Sequence, residues 1–166
     1  MKGTPDELKE LMLRPPAWTL AVAESVTAGH MQARVASISG ASEFFLGGVT
    51  AYALEQKVKL LGVDRAVAAK VNCVSAEVAE QMARGVCALF GADVGVATTG
   101  YAEANAGLGV AAPMAWWTVA RREAEGTFGV KTGRVEFPGA TRVEAQARVA
   151  EAALAALVAE LRVARG

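Results

Sequence analysis

Apolar and polar positions along the chain change period several times, and each change marks an element. At Thr4-Pro5-Asp6-Glu7 a capping hydroxyl, a proline at the first helical position and a carboxylate three residues past the cap signal a helix start. The helix predicted there runs to about Leu13 and is broken by Arg14-Pro15-Pro16. Trp18 to Ala23 is short and continuously apolar, the mark of a buried strand. Helical spacing resumes from Thr27 to about Ser37. Gly47 to Tyr52 predicts a second strand and Glu55 to Leu61 another helix, with Gly40, Gly47 and Gly48 supplying turn chemistry between the pieces. The most regular helix follows Ser75, a favourable cap, and keeps Val78, Met82, Val86 and Leu89/Phe90 on one face until Gly91 ends it. Val94 to Thr99 predicts a third buried strand, and residues 100–112, rich in glycine and alanine, a loop. Residues 115–122 and 127–137 read as two strands joined by the polar turn Glu123–Gly126, hence an antiparallel hairpin. The last segment, Arg142 to Ala164, carries Ala150, Leu154, Leu157, Val158 and Leu161 at helical spacing.

Strands that alternate with helices and then form a hairpin place the chain in the α/β class, as a three-layer α/β/α sandwich with a mixed sheet. No repeat or linker divides the 166 residues, so a single domain over 1–166 is expected. In open sheets of this kind ligands collect outside the carboxyl ends of the strands. Ser25, Tyr52 and Thr99 each fall near such an end.

Composition narrows the possible partners. Seventeen basic residues balance seventeen acidic ones, so no broad field attracts nucleic acid or an anionic membrane. The apolar runs fall short of the roughly 20 residues a membrane span needs, and MKGTPDELKE lacks the apolar core of a cleaved leader. A soluble, cytoplasmic protein is the expectation. Cys73 and Cys87 sit in apolar surroundings with no CxxC pair, which reads as two buried free thiols. A zinc site or a serine–histidine–aspartate triad would depend on the one histidine, His30, so neither metal nor organic cofactor is expected.

The stretch AESVTAG, residues 23–29, admits two readings. Ser25 or Thr27 caps the helix that follows, or Ser25 is a nucleophile whose developing oxyanion is held by the same backbone amides. His30 lies about five residues along the helix after Ser25, poorly placed as its base. Lys57, early in the helix after Tyr52, is the better candidate, with an ordinary surface lysine as the alternative reading. An unperturbed amine with a pKa of about 10.4 costs about 4.6 kcal/mol to neutralise at pH 7. Burial and the positive end of a helix both lower that cost.

AESVTAG (23–29), FLGGVTAYALEQKVKLLGV (45–63), VSAEVAEQMARGV (74–86), GADVGVATTG (91–100) and FPGATR (137–142) together resemble the C-terminal domain of the competence and damage-inducible CinA proteins, a family that includes the stand-alone nicotinamide-nucleotide amidases. The family pattern reads approximately AESCTGG, FLGGVVAYSNEAK, TGIAGPGG and FxGDR. The resemblance implies Ser25 as nucleophile, Lys57 as its base and Tyr52 as an orienting or proton-relaying group. It also implies a substrate site that draws on Thr27, Gly29, Thr99, Gly100 and Arg142, with Arg142 aligned through a one-residue insertion and suited to a phosphate. Several positions depart from the pattern. Val26 and Ala28 replace a cysteine and a glycine, Leu54 replaces an asparagine, Ala140-Thr141 breaks the last motif, and residues 101–107 replace the glycine-rich turn and introduce Glu103.

The activity this implies is hydrolysis of the carboxamide of nicotinamide mononucleotide to nicotinic acid mononucleotide and ammonia, with a small-molecule nucleotide as the partner. Two rivals come from the departures: an amidase of the same fold with another substrate, and a member that binds a nucleotide or protein without turnover. Family members often associate, and Trp116 or Trp117, if exposed on an edge strand, would support a homo-oligomer, although aromatic residues in a hairpin are more often simply core.

Overall fold

The computed structural model describes residues 5–166. The capping role read for Thr4 lies outside them, and Pro5 opens the first helix. In chain order the elements are α1 (Pro5–Leu13), β1 (Leu20–Glu24), α2 (His30–Ala36), β2 (Phe45–Thr50), α3 (Leu54–Leu61), α4 (Arg65–Lys70), α5 (Ala76–Phe90), β3 (Val94–Tyr101), β4 (Met114–Arg122), β5 (Phe128–Glu136) and α6 (Arg142–Arg165). The strands form one mixed sheet in the order β2-β1-β3-β4-β5. β1 runs parallel to both β2 and β3, and β3, β4 and β5 form an antiparallel run.

Alternation along the central strands builds the three layers. Leu20 and Val22 of β1 join Val94 and Val96 of β3 in a core shared with α1, α2 and α6. Ala21 and Ala23, one residue out of step, face α3, α4 and α5 together with Ala97 and Ala120. The small residues on that second face allow close approach of α5, whose own Gly85 packs so tightly that a Cβ there would collide with the Leu61 carbonyl at the end of α3. Both faces of β1 are buried throughout, as its apolar run Leu20–Ala23 requires, and the burial extends to Glu24 at its end.

Of the boundaries that differ from the sequence reading, three bear on the strand ends. α2 starts at His30 rather than Thr27, because residues 25–29 form a turn. β2 starts at Phe45 and ends at Thr50, leaving Tyr52 beyond the strand. Gly100 and Tyr101, assigned to the loop, extend β3 and pair with Ala115 and Met114. The short helix α4 carries no periodic signal in the sequence, and Asp64 caps it by accepting from Val67 N–H at 3.0 Å.

Of the two readings of the tryptophans, the core one holds. β4 is paired on both sides, so Trp116 and Trp117 lie on an interior strand, half-buried, with Trp117 packed against the α1/α2/α6 core. The cysteines also separate: Cys87 is buried, and burial raises its thiol pKa to about 12, whereas Cys73 is only half-buried. Among the described residues no helix is long and apolar enough to cross a membrane.

Candidate active site

β1 and β3 are neighbours whose chains leave in opposite directions, β1 toward β2 and β3 toward β4, and such a switch point opens a crevice at the strand ends. Ser25 follows β1 directly. The turn after it is closed by Ala28 N–H donating to the Ser25 carbonyl (3.1 Å) and His30 N–H donating to the Thr27 carbonyl (2.9 Å). Ala28 and Gly29 both take positive φ, 45° and 101°. A non-glycine residue there is strained by about 1–2 kcal/mol, so Ala28 holds a shape that glycine adopts freely.

Neither Ser25 nor Thr27 caps α2. Glu24, fully buried, does so through both carboxylate oxygens, Oε1 accepting from Met31 N–H (2.8 Å) and Oε2 from Gln32 N–H (3.0 Å). The hydroxyl of Thr27 is turned inward to Thr98 at 2.8 Å. That leaves the Ser25 hydroxyl, on a side chain only 7% exposed, facing the amine of Lys57.

Lys57 reaches it because helical side chains lean toward the helix N-terminus. From the second turn of α3, its Nζ donates to Ser25 Oγ at 2.9 Å and to the Tyr52 carbonyl at 2.7 Å. The side chain is 1% exposed. Desolvation lowers its pKa from the ordinary 10.5, partly offset by the Coulombic influence of Cys73.

Around this pair lies a cavity of about 390 Å³, lined on one side by Val26, Tyr52 and Leu54 and on the other by Cys73, Thr99 and Gly100. The size suits a small molecule, for which pockets of about 300–1,000 Å³ are usual. Thr99 is 1% exposed and donates to the Cys73 carbonyl at 2.6 Å, tying down a turn in which Asn72 and Cys73 both take positive φ. Gly100 borders the cavity, but a Cβ there would strike the Met114 carbonyl on β4, so sheet packing itself demands glycine. At the mouth, Arg142 opens α6 beside the Thr141–Glu144 capping box and donates to the Tyr52 hydroxyl (2.9 Å) and to Glu103 (3.2 Å). The Tyr52 ring is 55% exposed, so its carbonyl meets Lys57 while its phenol meets Arg142.

A family model described as the CinA C-terminal domain matches residues 6–161. The chain belongs to the CinA C-terminal domain family. A CinA-like protein of Chlorobium limicola is 37% identical over 153 residues, which cover 91% of this chain and 35% of that relative. One from Mycolicibacterium gilvum is 41% identical over 121 residues, covering 73% and 28%. The chain thus spans about a third of the length of these curated relatives. Among solved structures, the competence damage-inducible protein A of Klebsiella pneumoniae superposes with a TM-score of 0.82 at 28% identity, covering 95% of this chain and 94% of that one. The competence/damage inducible protein CihA of Agrobacterium tumefaciens gives 0.75 at 26%, covering 98% and 99%.

In this CinA-family chain the fold brings Ser25, Lys57, Tyr52, Thr99, Gly100 and Arg142 to one cavity. Thr27 and Gly29 stand apart from it, Thr27 as a buried partner of Thr98 and Gly29 as the left-handed residue that admits α2. Residue-by-residue reading missed Glu24 and the Asn72-Cys73 wall. Glu24 had a signal: a carboxylate just before a turn, leading to a helix whose own first residues offer no capping side chain. Among the described residues no cluster of His, Cys, Asp and Glu could hold a metal ion.

Proposed function

We propose that the protein is a serine–lysine amidohydrolase of the nicotinamide-nucleotide amidase type, converting a carboxamide to its acid with release of ammonia. One observation carries this reading: an amine 1% exposed, lowered in basicity, stands 2.9 Å from the Ser25 hydroxyl. Neutral Lys57 accepts the Ser25 proton as Oγ bonds to the carboxamide carbon. The amides of Ala28 and His30 are taken up within the turn, while that of Val26, which lines the cavity, carries no backbone hydrogen bond among the described residues. It is therefore assigned to the tetrahedral oxyanion, next to the nucleophile. Collapse breaks the C–N bond, and Lys57 returns the proton to the leaving nitrogen as ammonia departs. A water deprotonated by the again neutral Lys57 then attacks the ester carbon, and as the bond to Oγ breaks Lys57 hands that proton to Ser25, releasing the carboxylic acid.

The substrate proposed from the family resemblance is nicotinamide mononucleotide, with its carboxamide at the floor and its phosphate toward Arg142. Ammonia release from nicotinamide mononucleotide, followed in the natural protein and in Ser25→Ala, tests this reading. The variant should lose at least about a thousandfold in kcat, as expected for removal of a nucleophile. Equal turnover by the two proteins rejects the mechanism.

A further inference from the structure

The charges at the cavity mouth are unusual for a site that is to hold a phosphate. Among the described residues that line the cavity, Lys57 and Arg142 are the cationic side chains and Glu103 the anionic one. Lys57 is desolvated on the floor and committed to Ser25 and Tyr52. Arg142 is left for an anion, and it is already occupied: one terminal nitrogen donates to Glu103 Oε2 at 3.2 Å, the other to the Tyr52 hydroxyl at 2.9 Å. Its planar fork, the geometry that grips a phosphate, is engaged by the protein itself. Arg142 and Glu103 also line a second cavity, of about 490 Å³, beside Ala112, Pro113 and Gly139.

We propose that Glu103 is a specificity-determining residue: as the counter-ion of Arg142 it narrows the advantage that a phosphate monoester gives a nucleotide carboxamide, so that unphosphorylated, hydroxyl-bearing carboxamides of the nucleoside class are accepted beside it. A phosphate entering the mouth must displace the Glu103 carboxylate from Arg142 or lie beside it, and either course opposes binding by like-charge repulsion. A sugar hydroxyl meets no such opposition, since it donates to a carboxylate and accepts from a guanidinium. The other polar groups around the mouth are neutral and suit hydroxyls: Asn72 and Asn105, and Tyr101, whose hydroxyl accepts from Asn72 Nδ2 at 3.3 Å. Glu103 belongs to the segment that replaces the family's glycine-rich turn.

The activity readout rests on the amidohydrolase reading. The test measures kcat/KM for nicotinamide mononucleotide and for nicotinamide riboside in the natural protein, in Glu103→Gln and in Glu103→Gln/Arg142→Gln. In the single variant the ratio of nucleotide to riboside should rise about tenfold, mainly through KM, and should fall back in the double variant. A ratio that stays put or falls overturns the proposal. If the natural protein turns over neither compound, the amidase reading fails, and calorimetric binding of the same two compounds to the natural protein and to Glu103→Gln decides the counter-ion role by itself. A tenfold rise in relative affinity for the nucleotide supports that role, whereas no rise, or no binding of either compound, overturns it.

Discussion

At the scale of the residue, Lys57 carries the largest conflict between stability and chemistry. Burying an amine disfavours its charged form, and here desolvation is the leading cause of the lowered pKa. Only the neutral amine accepts a proton, so kcat/KM should climb with pH through a midpoint below 10.5 and level off above it, which a pH–rate profile measures. The sign for stability follows from the same shift. Between the folded pKa and the unfolded one the unfolded chain binds more protons, so stability rises with pH in that window, and the full penalty is present below it. Lys57→Met removes the penalty while its former partners, the Ser25 hydroxyl and the Tyr52 carbonyl, still face a cavity. The variant should lose activity and gain about 1–2 kcal/mol at pH 7, with the gain shrinking toward pH 10.5 in urea titrations. Lys57 could be nominated from the sequence by elimination, since His30 is badly placed. Its desolvation could not be read there, because the atoms that exclude water come from α3, β3 and the turn before α5, far apart in the chain.

At the scale of the element, helix starts show how much the chain reveals locally. Ser75 is legible as a cap because donor and acceptor are three residues apart, and its hydroxyl accepts from Val78 N–H at 3.1 Å. The start of α2 is not legible in that way. Its cap, Glu24, sits in a strand and reaches across a turn to amides seven and eight residues on. Thr27, which has the right chemistry for a cap, is drawn off by Thr98, a partner 71 residues away. Glu24→Gln tests the assignment. An amide offers one acceptor oxygen where two N–H groups converge, so one donor is left unpaired in a buried place. The expected cost is about 1–3 kcal/mol by urea unfolding, with kcat falling as well because the 25–29 turn loses its anchor. Helix α4 was invisible for a different reason: six residues are too few to show a period.

At the scale of the whole molecule, the layered fold follows from alternation and from the place of the small residues. The hairpin, the long final helix and the α/β class were legible because each depends on neighbours in sequence. The order β2-β1-β3, which sets the crevice, depends on pairings 25 to 74 residues apart and had to be seen. Gly100 shows how far the site and the sheet are one structure. The resemblance assigns it to the substrate, yet its missing side chain makes room for β4. Gly100→Ala should therefore destabilise the protein by more than about 2 kcal/mol, through overpacking between β3 and β4, whether or not a ligand is present. Thermal unfolding with and without nicotinamide mononucleotide measures this, and a purely ligand-facing glycine would leave the free protein unchanged.

Thr98 and Thr99 are adjacent and point to opposite faces of the sheet, the hydroxyl of one held to the Thr27 turn and that of the other to the Cys73 carbonyl. The floor is in effect riveted to one strand from both directions, and shifting that strand by a single position would undo both rivets together. Descendants of this sequence that acquire new chemistry around the same serine should accordingly vary along the outer lip, where Glu103 and Arg142 stand, and keep the riveted base as they inherited it.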